Sequence, residues 1–265
     1  MLVFLKLGGS LITDKDQPQT PRMEVIQRLC AEIATARAQN PDLQLLIGHG
    51  SGSFGHHSAN KYGTHQGVNT HAQWLGFAEV WRDARELNQI LISSLFEAGL
   101  PVISFPPSAM VTACGRKIVT WETKNILQAI QSGLVPIIMG DVIFDLELGG
   151  TILSTEELFQ HLALQFKPDR IFFAGRDEGV WEDFPHCTRL TRVITPQTFN
   201  QIQQSVQASA SIDVTGGMLL KVNSMLELVS QIPELKARIF SGLEAGNVHK
   251  VLAGEVIGTE ISSNN

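Results

Sequence analysis

The sequence predicts an α/β fold in which a mostly parallel sheet carries helices on both faces. Apolar runs such as 43–47 and 135–139 have the length of buried parallel strands, and a glycine directly follows each of them. Other segments, such as 23–36, carry apolar residues at helical spacing. Strands that alternate with helices along a chain are typical of such a sheet.

The N-terminal elements follow from these patterns. A strand at 2–7 ends in a glycine turn, and Thr20-Pro21 marks a helix start. Residues 57–71 are polar and rich in glycine and histidine, so we expect a long loop there. The other expected elements are strands at 43–47, 101–105 and 135–139, hairpins at 110–119 and 142–153, and helices at 72–98, 122–131 and from Ser154, which forms a capping box with Glu157.

A second half is expected to begin after residue 168. A strand at 169–175 enters a turn, and 182–195 has no regular pattern. A second glycine-rich turn at 213–218 leads into a helix that carries Lys221. The remaining expectations are a short helix at 196–206, an exposed polar segment at 205–211, a strand at 238–242, a helix at 246–252 and a closing segment at 258–261.

Composition limits the possible functions. The chain has 265 residues, of which 43% are hydrophobic and 17% charged, enough for one large domain or two lobes sharing a sheet. The net charge of −6 argues against broad nucleic-acid binding. Cys30, Cys114 and Cys187 are irregularly spaced, which favours reduced thiols, and the apolar N-terminus is too short for a signal peptide or membrane span. We therefore expect a cytoplasmic protein.

The glycine-rich stretch from Gly48 to His56 is the most distinctive segment of the chain. Its four glycines in the first eight residues let the backbone turn sharply and present several N–H groups to an anion. His56 can donate a hydrogen bond near neutral pH. The stretch predicts a phosphate-binding loop, which we call the cradle, with a histidine at its edge.

Two familiar phosphate-binding motifs do not describe the cradle. Residues 50–55 fit the letters of the dinucleotide fingerprint, but 56–63 lack apolar helical periodicity and no carboxylate lies near 69–71. A P-loop requires Gly-Lys followed by Ser or Thr, and the chain contains no Gly-Lys pair. We therefore expect neither a Rossmann fingerprint nor a Walker loop.

The cradle is accompanied by two other glycine turns, at 8–10 and 216–217. Lysines lie beside these turns, and carboxylates lie at the ends of elements. In phosphoryl transfer, lysines and N–H groups neutralise the moving charge, while carboxylates hold the lysines or a Mg²⁺ ion. The pattern predicts a phosphotransferase without a P-loop, since ordinary tight turns would not explain the accompanying cations. The residues are Lys6, Lys15, Lys221, Asp141, Glu156 and Asp213.

Five segments resemble those of a known kinase superfamily, in the same order. They are Lys6–Ser10, His49–His56, Gly140-Asp141, Asp213–Met218 and Gly254–Thr259. Together they resemble the amino-acid kinase superfamily and, within it, the isopentenyl phosphate kinase family. The resemblance implies the amino-acid kinase fold, a three-layer αβα sandwich that is usually a homodimer. The N-terminal lobe (1–168) would bind the acceptor and dimerise, and the C-terminal lobe (169–265) would bind ATP.

The resemblance also implies an activity and roles for single residues. The activity is ATP-dependent phosphorylation of isopentenyl phosphate to isopentenyl diphosphate with Mg²⁺, in isoprenoid biosynthesis. The implied catalytic residues are His56, Lys6, Lys15 and Lys221, and Glu156 would orient the lysines. The implied acceptor-binding residues are Ser51, Gly52, His56 and Thr155. The implied nucleotide-binding residues are Lys6, Gly8, Gly9, Ser10, Lys15, Asp177, Gly179, Asp213, Gly216, Gly217, Met218 and Lys221.

This sequence departs from the family pattern at three places. Ser51 stands where the family often has glycine, and Thr155-Glu156 replaces a frequent Gly-Asp. The segment Arg176–Gly179 departs from the usual Asp-x-x-Gly surroundings, which leaves the nucleotide preference open. The resemblance implies that Trp74, Phe77 and Trp81 contribute to a prenyl pocket. Ordinary core packing explains each of these residues equally well. Two alternatives stay open: a kinase of another small phosphate or phosphonate, such as a fosfomycin-type kinase, and a non-catalytic sensor, against which the three lysines argue.

Overall fold

One eight-stranded sheet organises the computed structural model, which describes residues 1–200 and 217–263. Its strand order is β12-β14-β13-β9-β1-β2-β6-β3, and neighbouring strands are parallel except β13 and β14. The strands are β1 (Leu2–Leu7), β2 (Gln44–His49), β3 (Val102–Ser104), β4 (Val111–Cys114), β5 (Lys117–Trp121), β6 (Val135–Met139), β7 (Asp141–Asp145), β8 (Gly149–Leu153), β9 (Arg170–Gly175), β10 (Val180–Trp181), β11 (Leu190–Thr191), β12 (Val193–Ile194), β13 (Lys236–Ser241) and β14 (Thr259–Ile261). Strands of the two predicted lobes meet where β1 pairs with β9.

Helices cover both faces of this sheet, so the predicted three-layer αβα sandwich is confirmed. Alternate residues of β1 separate the two cores: Phe4 packs with α5, α6 and α7, whereas Val3 and Leu5 pack with α1, α2, α3, α4 and α8. The helices are α1 (Gly9–Ile12), α2 (Met23–Gln39), α3 (Gly52–Tyr62), α4 (His71–Glu97), α5 (Lys124–Gln131), α6 (Thr155–Phe166), α7 (Gly217–Gln231) and α8 (Asn247–Leu252). Within 1–200 and 217–263, no helix is both long and apolar enough to cross a membrane.

The two predicted hairpins join into a second sheet of order β5-β4-β7-β8. The Asp145 carboxylate anchors the turns of both hairpins, because it accepts from the N–H groups of Gly115 (3.0 Å), Arg116 (2.7 Å), Glu147 (2.9 Å) and Leu148 (2.9 Å). Burial opposes its charge, but these four donors hold the pKa of Asp145 below its ordinary value.

The predicted long loop at 57–71 is wrong. Helix α3 begins at Gly52, within the cradle, and continues to Tyr62. Its buried face consists largely of small residues, which let it pack closely on α4: an added Cβ at Gly76 would lie 2.2 Å from Tyr62 Cγ. Because Gly and Ser replace large apolar residues on this face, the usual helical periodicity is absent. The lack of a following helix therefore no longer argues against a dinucleotide fingerprint, although the missing carboxylate still does.

Other predicted boundaries differ by smaller amounts. Helix α2 begins at Met23, because Pro21 forms a β-bridge with Thr13. The stretch 182–195 is not wholly irregular, since β11 pairs with β10 and β12 joins the large sheet through β14. The predicted exposed segment 205–211, most of the predicted helix 196–206 and the start of the turn at 213–218 lie outside the described residues. The capping box from Ser154 to Glu157 is confirmed.

Candidate active site

The carboxyl ends of the central strands lie at one edge of the large sheet. Leu7 pairs with His49 and with Ala174, and His49 pairs with Met139. The turns after β1, β2, β6 and β9 therefore lie side by side. Ligands of open parallel sheets bind at this edge, especially where the strand order reverses. Here the order reverses at β1, which lies between β2 and β9.

The turn after β1 contacts the cradle backbone to backbone. An added Cβ at Gly9 would lie 2.5 Å from Gly52 N, so a side chain at Gly9 would separate the two turns. The Thr13 hydroxyl joins them, since it donates to the Gly9 carbonyl (2.7 Å) and accepts from Ser53 N (3.0 Å). Thr13 is fully buried. Sequence reasoning missed this residue, although a hydroxyl shortly after a glycine turn is a recognisable local signal.

Several backbone N–H groups in the two turns have no acceptor among the described residues. Within residues 1–200 and 217–263, the N–H groups of Gly9, Ser10, Ser51 and Gly52 donate no hydrogen bond. Those of Ser51 and Gly52 lie at the N-terminus of the eleven-residue helix α3. Unpaired N–H groups at such a position attract anions. The two turns thus present neighbouring sets of unpaired N–H groups, a chemistry suited to binding anions.

Lys6 lies beneath these turns and is paired with Glu156. Lys6 is 8% exposed, and its ammonium group forms an ion pair with the Glu156 carboxylate at the start of α6. Burial alone would raise the pKa of Glu156, but the charges of Lys6 and Lys221 hold it below its ordinary value. The carboxylate therefore stays ionised through the charges of two lysines, one from each predicted lobe, as expected of a residue that orients them.

The start of α6 also lies unusually close to β2. The Thr155 hydroxyl donates to the carbonyl of His49 (2.6 Å), so it is already engaged beneath the cradle and cannot donate to a ligand at the same time. An added Cβ at Gly48 would lie 2.5 Å from Thr155 Cγ2 and 2.7 Å from the ring of Phe159. Glycine at position 48 therefore lets the start of α6 approach β2 closely, which places Glu156 beside Lys6.

Gly48→Ala is expected to lower both stability and turnover. The added methyl overlaps Thr155 and the Phe159 ring, and relief of such overlap costs about 1–3 kcal/mol. It would also push the start of α6, and with it Glu156, away from Lys6. Chemical denaturation and a turnover assay measure the two effects. Adding Thr155→Ser, which removes the overlapping methyl but keeps the hydroxyl, should recover part of both losses; no recovery would contradict this explanation.

His49 is the second histidine of the cradle, and the structure separates it from His56. Its ring is fully buried against α4, with Nε2 3.0 Å from Asn88 Oδ1, and the Asn88 amide donates to Ser104 Oγ (3.0 Å). Burial lowers the pKa of His49, and the charge of Lys6 lowers it further. A neutral, hydrogen-bonded His49 therefore supports the cradle from below. Sequence reasoning assigned no role to His49 or Asn88.

His56 and Lys15 lie on the exposed side of the site. His56 follows the first turn of α3, just after the unpaired N–H groups. Lys15 belongs to the loop between α1 and α2, and this loop is bonded to the start of α3: Gln19 N donates to the Ser53 carbonyl and Thr20 N to Ser53 Oγ, both at 3.3 Å. The structure thus brings the loop of Lys15 to the helix of His56.

The predicted nucleotide residues lie partly at the same edge. Asp177 and Gly179 follow β9, and the N–H after Gly179, that of Val180, donates to Thr259 Oγ1 (2.8 Å). Gly217, Met218 and Lys221 lie in the first turns of α7. Gly8 directly follows β1, and its N–H donates to Ala174 O (2.8 Å), next to Gly9 and Ser10. The predicted Asp213 and Gly216 lie outside the described residues.

Asp141 occupies a different environment from Glu156. It is 1% exposed and accepts from the N–H groups of Ser108 (2.9 Å) and Val142 (2.9 Å). It is thus held by backbone donors and the Ser108 side chain, which anchor it to the 3₁₀ turn Pro107–Ala109. Burial raises the pKa of Asp141, and the hydrogen bonds lower it by a smaller amount. The resulting pKa is about 6.

Asp141 is expected to make the protein less stable as the pH rises from about 4 to about 6. Its folded-state pKa lies above the unfolded value, so its stabilising contribution is present at low pH and lost across this window. A shift of this size corresponds to on the order of 3 kcal/mol. Denaturation of wild type and Asp141→Asn at both ends of the window measures it. A stability difference that does not change with pH would contradict the assignment.

An apolar cluster lies one helical turn beyond His56. Ala59 of α3 packs against it, and Phe77 is one of its buried members. Trp74 is 36% exposed, and its ring stacks on Phe144 at 5.9 Å. The structure therefore places all three predicted aromatic residues beside the cluster, with Trp74 at its rim. Its members are Val68, Phe77, Val80 and Val142, with Ala59, Trp81 and Ile152 packed against them.

The described residues offer no ready cage for a divalent metal. Among 1–200 and 217–263, no group of three or more His, Cys, Asp or Glu residues is arranged to hold an ion. Glu156 is paired with Lys6, and Asp141 is bonded to backbone. Mg²⁺ commonly keeps several waters and binds substrate phosphates with few protein ligands, so this donor set fits an ion carried by a nucleotide.

Comparison with known proteins gives a consistent picture. The model of the amino acid kinase family matches residues 1–241. The isopentenyl phosphate kinase of Methanocaldococcus jannaschii is 34% identical over 98% of this chain and 98% of its own length. The enzyme of the same name from Methanothermobacter thermautotrophicus is 29% identical over 98% of this chain and 99% of its own.

Solved structures show the same likeness in three dimensions. One of isopentenyl phosphate kinase superposes with a TM-score of 0.83 at 28% identity, covering 99% of this chain and all of that one. The product complex of the isopentenyl phosphate kinase from Thermoplasma acidophilum gives a TM-score of 0.78 at 26% identity, over 98% of this chain and all of that one. Both likenesses extend over nearly the whole chain.

Proposed function

The chain belongs to the amino acid kinase family, and from this membership we propose that it phosphorylates isopentenyl phosphate to isopentenyl diphosphate with ATP. The observation that carries the proposal is the contact between the turn at Gly9 and the cradle at Gly52, which brings two anion sites together. One site would hold the acceptor phosphate and the other the phosphates of ATP. Two bound phosphates side by side are what phosphoryl transfer requires.

The proposed reaction needs positioning and charge neutralisation rather than a base. An acceptor phosphate oxygen attacks the γ-phosphorus of ATP, the bond to the bridging oxygen breaks, and ADP leaves with the electron pair. The attacking oxygen is already ionised near neutral pH, so no proton has to be removed. Lys6, Lys15 and Lys221 would neutralise the phosphates, with Glu156 orienting Lys6 and Lys221. His56 would donate to the acceptor phosphate.

The remaining assignments follow from the same proposal. Mg²⁺ would arrive with ATP and supply further neutralisation of its phosphates. The apolar cluster around Phe77 lies one helical turn from His56 and would accept the short hydrocarbon chain. Residues 1–168 would form the acceptor lobe and residues 169–265 the ATP lobe. A homodimer, a cytoplasmic location and a place in isoprenoid biosynthesis by the mevalonate route stay predictions.

A coupled ADP-release assay tests the acceptor directly. Purified protein is given ATP, Mg²⁺ and, in separate reactions, isopentenyl phosphate, a phosphonate antibiotic such as fosfomycin, and no acceptor. Turnover that depends on isopentenyl phosphate supports the proposal. Turnover confined to the phosphonate would reject it in favour of the second kinase class, and binding of both ligands without ADP release would indicate a sensor.

A further inference from the structure

Helix α2 of the N-terminal lobe holds a loop of the C-terminal lobe. This loop, residues 242–246, connects β13 to α8, and we call it the connecting loop. Arg28 Nη2 donates to the carbonyl oxygens of Gly242 (2.6 Å) and Leu243 (3.2 Å). Arg28 Nη1 donates to Glu32 Oε1 at 2.6 Å, one helical turn further along α2.

Glu32 binds the other end of the connecting loop. Its Oε1 accepts from Gly246 N (2.9 Å), and its Oε2 accepts from Val248 N (3.0 Å) and His249 N (3.3 Å) at the start of α8. The side chains of Arg28 and Glu32 are 25% and 10% exposed. A shielded arginine–carboxylate pair bonded to backbone at both ends has a fixed geometry, unlike most surface ion pairs.

The connecting loop in turn supports the turn after β9. Gly242 N donates to the carbonyl of Gly175 (2.8 Å), and Ser241 Oγ donates to the carbonyl of Arg176 (3.3 Å). That turn carries Asp177, which the resemblance to the family implies as a nucleotide-binding residue. A chain of hydrogen bonds thus runs from α2 of the acceptor lobe, through the connecting loop, to the nucleotide side of the site.

We propose that Arg28 and Glu32 are positioning residues for nucleotide binding, and this inference rests on the proposed function. They fix the connecting loop and, through it, the turn at 175–179. Neither side chain needs to touch a ligand. The cradle is held separately by Thr13 and His49, so the pair acts on the ATP side and leaves acceptor binding unchanged.

Glu32→Gln tests the inference, because it keeps the side-chain size but presents an N–H group to a backbone N–H. We expect the dissociation constant for ATP, measured by calorimetry, to rise about fivefold to tenfold, since hydrogen bonds to a charged partner are lost. The dissociation constant for isopentenyl phosphate should stay within about twofold. Hydrogen exchange of the unliganded full chain should show lost protection at 246–249.

Ile33→Val is the matched control, because it removes one buried methylene from α2 next to Glu32 but keeps the side chains of Arg28 and Glu32 that bind the loop. It should change neither dissociation constant by more than about twofold. Equal weakening of both ligands by Glu32→Gln, unchanged ATP affinity, or unchanged exchange at 246–249 would each overturn the inference. If wild type binds ATP but does not phosphorylate isopentenyl phosphate, the proposed acceptor fails, while the ATP and exchange measurements still decide the role of Glu32.

Discussion

Lys6→Met is expected to lower turnover by a factor of about 10² to 10³, comparable with the loss of one donor to a transition-state charge. It should also destabilise the protein by about 3–5 kcal/mol, because removing one member of a buried ion pair leaves its carboxylate with the charge of Lys221 alone. The partner is Glu156, whose carboxylate Lys6 holds ionised. Turnover is measured by ADP release and stability by chemical denaturation.

A double variant separates the two effects of Lys6. Lys6→Met with Glu156→Gln leaves no unpaired charge, so stability should recover while turnover stays low. The pH dependence supplies a second readout. In wild type the folded-state pKa of Glu156 is depressed, so its contribution to stability is lost as the pH falls through that value. In Lys6→Met, burial dominates and stability should instead rise as the pH falls. A single variant with near wild-type turnover would reject the assigned role.

His56→Ala is expected to lower turnover by about 10² or more with little change in stability. The side chain is exposed on α3, and alanine is the most favourable helix residue, so the fold loses little. The loss of turnover would come from the missing donor to the acceptor phosphate. Steady-state ADP release with isopentenyl phosphate and thermal denaturation together measure both properties.

His57→Ala is the matched control for this prediction. His57 is the next residue of α3 and is also exposed. Its substitution tests whether the loss of any exposed histidine from this helix disturbs the site, and it should leave turnover within about twofold. If both variants lose turnover equally, or His56→Ala retains nearly all of it, His56 has no specific role at the acceptor.

The sheet and its turns were predictable because each depends on local sequence. Short, continuously apolar runs such as 135–139 are typical of buried strands, and a glycine marks the end of each strand. Helix α3 was not predictable in the same way, since four of its five buried residues are small (Gly52, Ser53, Gly55 and Ser58) and only Phe54 is large. Small residues pack well only when a partner helix is already close, and that information lies in α4. Hydrophobic periodicity therefore fails to predict a helix whose backbone packs directly against another backbone.

In the candidate site, too, residues with a local sequence signal were predictable and residues defined by distant contacts were not. The lysines, the cradle and Glu156 were found because they stand beside glycine turns or at a helix start. Glu32 was not found, because its partner Val248 lies 216 residues away and neither residue has a distinctive neighbourhood. His49 lay within the motif, yet only its hydrogen bond to Asn88 shows that its side chain turns toward α4. Contacts between distant segments leave no local signal.

The contact between Gly9 and Gly52 has a consequence for how substrate preference can change. The separation of the two proposed phosphate sites is set by the thickness of two polypeptide backbones, with 2.5 Å between an added Cβ and the opposite nitrogen. Substitutions that keep Gly9, Gly52 and the bridging Thr13 hydroxyl leave that interval unchanged. We therefore expect changes in substrate preference to arise at the outer ends of the two ligands. The reacting centre keeps one geometry while the molecules brought to it can differ.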